Sequence, residues 1–169
     1  KYTFCIDYNK YMYMICILTN KGVNKMSTRC NILIKSGSTN IWLYRHCDGY
    51  LAETGYNLAS TLSHCNGFKN FLDNLLNQKY EATMYRKAQP IYEFTTEEHG
   101  DIEYLYSFEF DRSMPKNVKV IVESCASWED RKELINTEFS ITPQNVEKHL
   151  NLIIKEHKKQ LDRALGRVA

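Results

Sequence analysis

The chain has 169 residues, 43% of them hydrophobic, with only seven glycines and three prolines, so it suits one domain with a sizeable core. Its formal net charge of +2 depends on residues 1–26, because residues 27–169 carry 18 basic against 19 acidic side chains. That balance gives no reason to expect nucleic acid as a partner. The longest apolar run, Tyr11 to Leu18, is too short to span a membrane, so no membrane partner is expected either.

Residues 1–25 allow two interpretations. The sequence KGVNK, Lys21 to Lys25, can be encoded by codons that contain a purine-rich ribosome-binding site at a usual distance from an ATG for Met26. That pattern favours a translated leader. The run YMYMICIL, Tyr11 to Leu18, instead suits an extra N-terminal strand, since its residues have strong β propensity. We expect the leader, and hence one domain over residues 26–169; a chain starting at Met26 that fails to fold would contradict this.

In chain order, the next segments predict a hairpin and two helices. Arg29–Lys35 and Ile41–His46 have the composition of strands, and SGSTN between them is typical of a turn. Apolar residues from Leu51 to Leu62, and again from Phe68 to Leu76, recur at helical spacing. Asn66-Gly67 separates these two helices.

The second half predicts three further strands and a terminal helix. The strands lie near 89–95, 103–111 and 117–123, and the segment Trp128–Phe139 fits either a short helix or an edge strand. Glu97–Asp101 between the first two strands is typical of a solvated hairpin tip. Thr142 as N-cap and Pro143 at the first helical position begin a helix to about Gly166.

The terminal helix carries one apolar stripe, and from it we predict that Ile154→Asp severely lowers stability. Its members are Val146, Leu150, Ile153, Ile154, Leu161 and Leu165. The fold class that follows is α+β, a single domain with an antiparallel sheet and helices packed on one face, in the order β-β-α-α-β-β-β-(β or α)-α.

Six cysteines are scattered without a Cys-x-x-Cys pair, so neither a zinc site nor a redox centre is indicated. Without a recognisable secretion signal they are expected to be reduced thiols in a cytoplasmic protein. No cofactor motif is present in the sequence, and we expect no cofactor.

The stretch LYRHCDGY, Leu43 to Tyr50, is the candidate site. Alternation along a strand places Tyr44 and His46 on one face and Leu43 and Arg45 on the other. Asp48 and Gly49 then break the strand and are expected to brace the turn. If the stretch has a function, Arg45 and His46 would be partly exposed and bind a phosphate or carboxylate. Arg29 would lie close to them, because hairpin pairing brings the start of one strand beside the end of the other.

The segment MSTRCNILIK, Met26 to Lys35, followed by LYRHCDGY resembles the opening of an uncharacterised family of bacterial and phage genomes. That opening pairs an (S/T)R-x-N-I strand with a Y-x-H-x-D-G-Y/F-P turn. The resemblance covers about residues 26–60, and Leu51 stands where the family has Pro. It implies a small prokaryotic or phage accessory protein without a known activity, and it draws attention to Arg29, His46 and Asp48.

Other patterns give weaker indications. A metal site would need several converging ligands, for which the sequence offers His46, Asp48, His64, Glu98, His99 and Asp101 without a metal-binding spacing. A nucleophilic Cys47 or Cys65 is less probable still, since adjacent strand residues point to opposite faces. The aromatic strand Tyr104 to Phe110 suits core packing or a dimer face. Basic residues from Lys155 to Arg167 are typical of a solvated helix face.

We therefore expect a non-enzymatic binding module of phage or mobile-element type. Its ligand would be a small phosphorylated molecule or a host protein, the ligand-binding residues being Arg29, Arg45 and His46, and a homo-oligomer is possible. The alternative is a metal-dependent phosphodiesterase or nuclease centred on His46 and Asp48.

Overall fold

The computed structural model describes residues 28–80, 88–125, 130–164 and 166. The leader or extra strand predicted for residues 1–25 lies outside them. The described part is an α+β domain in which helices pack on a six-stranded sheet. The strands are β1 (Cys30–Ser36), β2 (Thr39–Arg45), β3 (Glu93–Thr95), β4 (Tyr104–Phe110), β5 (Asn117–Cys125) and β6 (Arg131–Ser140).

The strand order across the sheet is β3-β2-β1-β4-β5-β6. Four of the five pairings are antiparallel, and the central pair β1–β4 is parallel. Parallel neighbours need a long connection, which the helices and β3 provide between β2 and β4. One prediction is wrong at this point: Glu97–Asp101 is not a hairpin tip, because β3 and β4 are separated by β2 and β1. Residues 96–103, here called the crossover segment, pass across those two strands instead.

Three helices cover one face of the sheet. The first, α1, begins with a π-helical turn (Leu51–Gly55) and continues as an α-helix (Tyr56–Ser63). The others are α2 (Phe68–Leu76) and α3 (Pro143–Ala164). The predicted cap of α3 is present, since the hydroxyl oxygen of Thr142 accepts a hydrogen bond of 3.3 Å from the amide of Asn145.

The core lies between this face and the helices. Tyr106, Phe108 and Phe110 alternate along β4 and are buried there, and the ring of Phe71 on α2 packs 4.8 Å from that of Phe108. The aromatic strand is therefore a core strand. Apolar residues of the other strands and the helices complete the core, including Ile32, Ile34, Leu43, Leu58, Leu62, Leu75, Val118, Val120, Val122, Leu150 and Ile153.

Two local expectations need correction, and one alternative that the sequence left open is resolved. The segment 89–95 forms a strand only over Glu93–Thr95, while Pro90 makes an isolated bridge to Lys79. The ambiguous segment 128–139 is strand β6 where it is described, from Arg131 onward. On α3 the core position is Ile153, whose exposed fraction is 1%, whereas Ile154 is 37% exposed. The premise of the prediction for Ile154→Asp, that Ile154 is buried in the core, is therefore wrong, and we no longer expect a severe loss of stability.

Candidate functional site

The turn that follows β2, which contains Asp48 and Gly49, is held from several sides. Asp48 has a left-handed backbone, with φ of 57°, and its carbonyl oxygen accepts a 2.7 Å hydrogen bond from the hydroxyl of Thr54. The amide of Gly49 donates to the carbonyl of Thr28. A Cβ atom at Gly49 would lie only 2.7 Å from the carbonyl carbon of Arg29, so no larger residue fits without movement. The motif is a packed turn between the sheet and α1.

Arg45 occupies the covered face of the sheet and not an exposed rim. It pairs directly with Cys30 and shares the inner face with Leu43, so its exposed fraction is only 3%. Its Nε donates a 2.8 Å hydrogen bond to the carbonyl of Cys47, and its guanidinium lies 3.8 Å from a carboxylate oxygen of Glu53. The expected partial exposure of Arg45 is wrong, because the face predicted for Leu43 and Arg45 is the one that the helices cover.

His46 is exposed, as predicted, and so is Arg29, but each lies against a carboxylate. The side chain of His46 is 64% exposed, with Nε2 3.3 Å from Glu93, and the guanidinium of Arg29 forms an ion pair with Asp101. With Arg45 beside Glu53, all three predicted cations face an acid of this chain. An incoming phosphate would have to compete with those carboxylates.

Tyr44 connects the two exposed cations. Its hydroxyl lies 3.4 Å from Asp101, and its ring makes an edge contact with His46 and stacks at 4.1 Å on His99 of the crossover segment. Burial and the charge of Asp101 raise the pKa of Tyr44. Arg29 and His46 thus lie near the same tyrosine, but Arg45 is on the opposite face of the sheet.

A feature that the sequence did not reveal is a groove on the face of the sheet opposite the three helices, here called the open face. This open-face groove has a volume of about 290 Å³. Leu33 and Leu105 lie in its floor, Trp42 lines it from β2, and Glu98 of the crossover segment closes one end through a 2.5 Å ion pair with Arg131. Further lining residues come from four strands: Lys35, Ser107, Glu109, Lys119, Ile121, Glu123 and Glu133.

The groove follows from the alternation of the strands. Leu33 lies opposite Trp42 on β2 and Ser107 on β4, and Ser107 lies opposite Ile121 on β5. These side chains form one row across the open face. The sequence carried a signal for it, because RCNILIK has apolar residues at both Ile32 and Leu33, and a strand buried on one face alone would alternate with polar residues.

The described residues do not provide a set of ligands for a metal ion. Among the described residues, no three His, Cys, Asp or Glu side chains come together as ion ligands. His46 lies against Tyr44 and Glu93, and the backbone of Asp48 belongs to the turn.

Comparisons with protein-family models, with curated proteins and with solved structures returned no match. No helix within the described ranges is both long enough and apolar enough to cross a membrane.

Proposed function

We propose that this protein is a non-enzymatic binding module that holds a segment of another polypeptide in the open-face groove. The observation that carries the proposal is the groove itself, a recess with an apolar floor and charged walls on the face opposite the helices. Its volume of about 290 Å³ is near the lower limit for ligand-binding clefts. The side chains of an extended or helical segment of a partner can bind in a groove of this kind.

Of the two ligand classes expected from the sequence, a polypeptide is favoured over a small phosphorylated molecule. The cations proposed for phosphate binding are Arg29, Arg45 and His46, and each faces a carboxylate. Residues 26–60 resemble an uncharacterised family of bacterial and phage genomes, and on that ground we propose a host protein as the partner class. The four described cysteines, Cys30, Cys47, Cys65 and Cys125, are free thiols, which supports the proposed cytoplasmic location.

Selection from a random peptide display library tests the proposal. Peptides retained by the wild-type protein are counter-selected on Ser107→Trp, whose indole would fill the groove between Leu33 and Ile121. Ser63→Trp, at an exposed position on α1, is the matched control. We expect peptides that bind wild type and Ser63→Trp but not Ser107→Trp. If every retained peptide binds Ser107→Trp equally well, the groove is not a binding site and the proposal is wrong.

A further inference from the structure

The floor of the open-face groove sets one requirement on its ligand. Leu33 and Leu105 are almost fully buried beneath it, and Trp42 and Ile121 are half-buried at its sides. A polar group placed against the aliphatic side chains of Leu33, Leu105 and Ile121 would lose water without gaining a hydrogen-bond partner from them. The segment that fills the groove must therefore place an apolar side chain on this floor.

The charges along one end of the groove balance each other. Lys35 lies opposite Glu109, Glu109 opposite Lys119, and Lys119 opposite Glu138. Opposite charges in register across strands attract weakly, so this row of alternating sign leaves no excess charge for a partner to meet.

The other end has an excess of negative charge. Glu123 of β5 and Glu133 of β6 lie directly opposite each other, although like charges in that arrangement destabilise a sheet. The basic side chain of β6 that lines this end is Arg131, whose guanidinium is engaged by Glu98 at 2.5 Å and also attracts Glu123. The side-chain amide of Asn136 donates a 3.0 Å hydrogen bond to the carboxylate of Glu133. The residues that line the whole groove include four glutamates and three basic side chains. A cation brought by the partner would relieve the repulsion between Glu123 and Glu133.

We infer that the polypeptide held in the open-face groove presents a lysine or arginine to Glu123 and Glu133, next to an apolar side chain on the Leu33–Leu105 floor. The inference rests on the proposed function and names the chemistry of the partner at the same site. Charge complementarity fixes the orientation of the bound segment, with its basic end toward β6 and its apolar side chain toward β1.

The library-selected peptides that depend on the groove provide the probe. We expect them to share a basic residue beside an apolar one. Glu123→Gln and Glu133→Gln should each weaken their binding by about tenfold, while Glu147→Gln, at an exposed position of α3 away from the groove, changes it little. Raising the ionic strength should weaken binding to wild type and have less effect on the double variant Glu123→Gln with Glu133→Gln. Circular dichroism of each variant checks that the fold is retained.

Three results would overturn the inference, and they differ from failure of the proposed function. Groove-dependent peptides without a basic residue, or with unchanged affinity for both glutamine variants, would leave a binding module with another specificity. A wild-type dimer that becomes monomeric in Ser107→Trp would show a second copy of the chain in the groove. A complete lack of groove-dependent peptides would remove the proposed function as well.

Discussion

The hydroxyl of Tyr106 donates a 2.8 Å hydrogen bond to the main-chain carbonyl oxygen of Gly49, and this bond ties the LYRHCDGY turn to the middle of the sheet. Tyr106 is 1% exposed on β4, so the bond is buried. Burial raises the pKa of Tyr106 well above its ordinary value, and the phenol stays a neutral donor. The turn is thus part of the core structure, and its polar residues can be explained without a ligand.

Substitutions at Asp48 test this structural role. With φ of 57°, the position favours glycine and tolerates aspartate better than alanine. We expect Asp48→Ala to lower the free energy of unfolding by about 1 kcal/mol, and Asp48→Gly to leave it within about 0.5 kcal/mol of wild type. Urea denaturation measures both. Equal losses for the two variants would mean that the carboxylate, and not the backbone, stabilises the turn.

Substitution of Arg45 should destabilise the protein much more than substitution of Arg29. Arg45→Ala removes a buried cation and leaves the carbonyl of Cys47 without its 2.8 Å donor, so we expect a loss of about 2–4 kcal/mol. Arg29→Ala breaks a half-exposed ion pair with Asp101, and the expected loss is about 0–1 kcal/mol. Thermal melts of the two variants check the difference. An unchanged melting temperature for Arg45→Ala would contradict the structural role and support the partly exposed, ligand-binding Arg45 predicted from the sequence.

Substitution of Asn31, unlike the variants above, is expected to raise the stability of the protein. The side chain is fully buried on the open-face side of β1, and neither amide atom has a hydrogen-bond partner among the described residues. An unsatisfied buried polar group costs about 1–3 kcal/mol, so Asn31→Leu should raise the free energy of unfolding by about 1 kcal/mol. Asn40→Leu, at an exposed position of β2, is the control and should change little. A marked loss in Asn31→Leu would indicate that the amide binds an ordered water.

The stability of the protein should fall in mild acid because of His149. This residue is 3% exposed between α3 and β6, and burial lowers its pKa from 6.5 to about 4. As the pH falls from 6.5 to 4, His149 is protonated in the unfolded chain before it is protonated in the folded protein. The free energy of unfolding therefore falls by up to roughly 3 kcal/mol. We expect His149→Gln to lose this part of the pH dependence. Denaturation curves at several pH values measure it, and parallel profiles for the two proteins would contradict the assignment.

The sequence predicted most of the elements but not how they are arranged around the site. Alternation and capping located β1, β2, β4, β5 and α3, because these signals are local. The parallel pairing of β1 with β4 could not be predicted, since it depends on where the crossover segment passes. The face of Arg45 was predicted, but its burial required knowing which face the helices cover. The groove was missed for the same reason, as it combines residues from several strands that meet only after the sheet has formed.

The most direct test of the binding-module account is NMR mapping of a groove-dependent peptide on the wild-type protein. We predict that titration shifts the methyl signals of Leu33, Leu105 and Ile121 and the indole signal of Trp42, which all line the groove. The methyl signals of Leu58 and Leu75, buried beneath the helices, should stay in place. Shifts confined to the helical face, or to Arg29 and His46, would contradict the account.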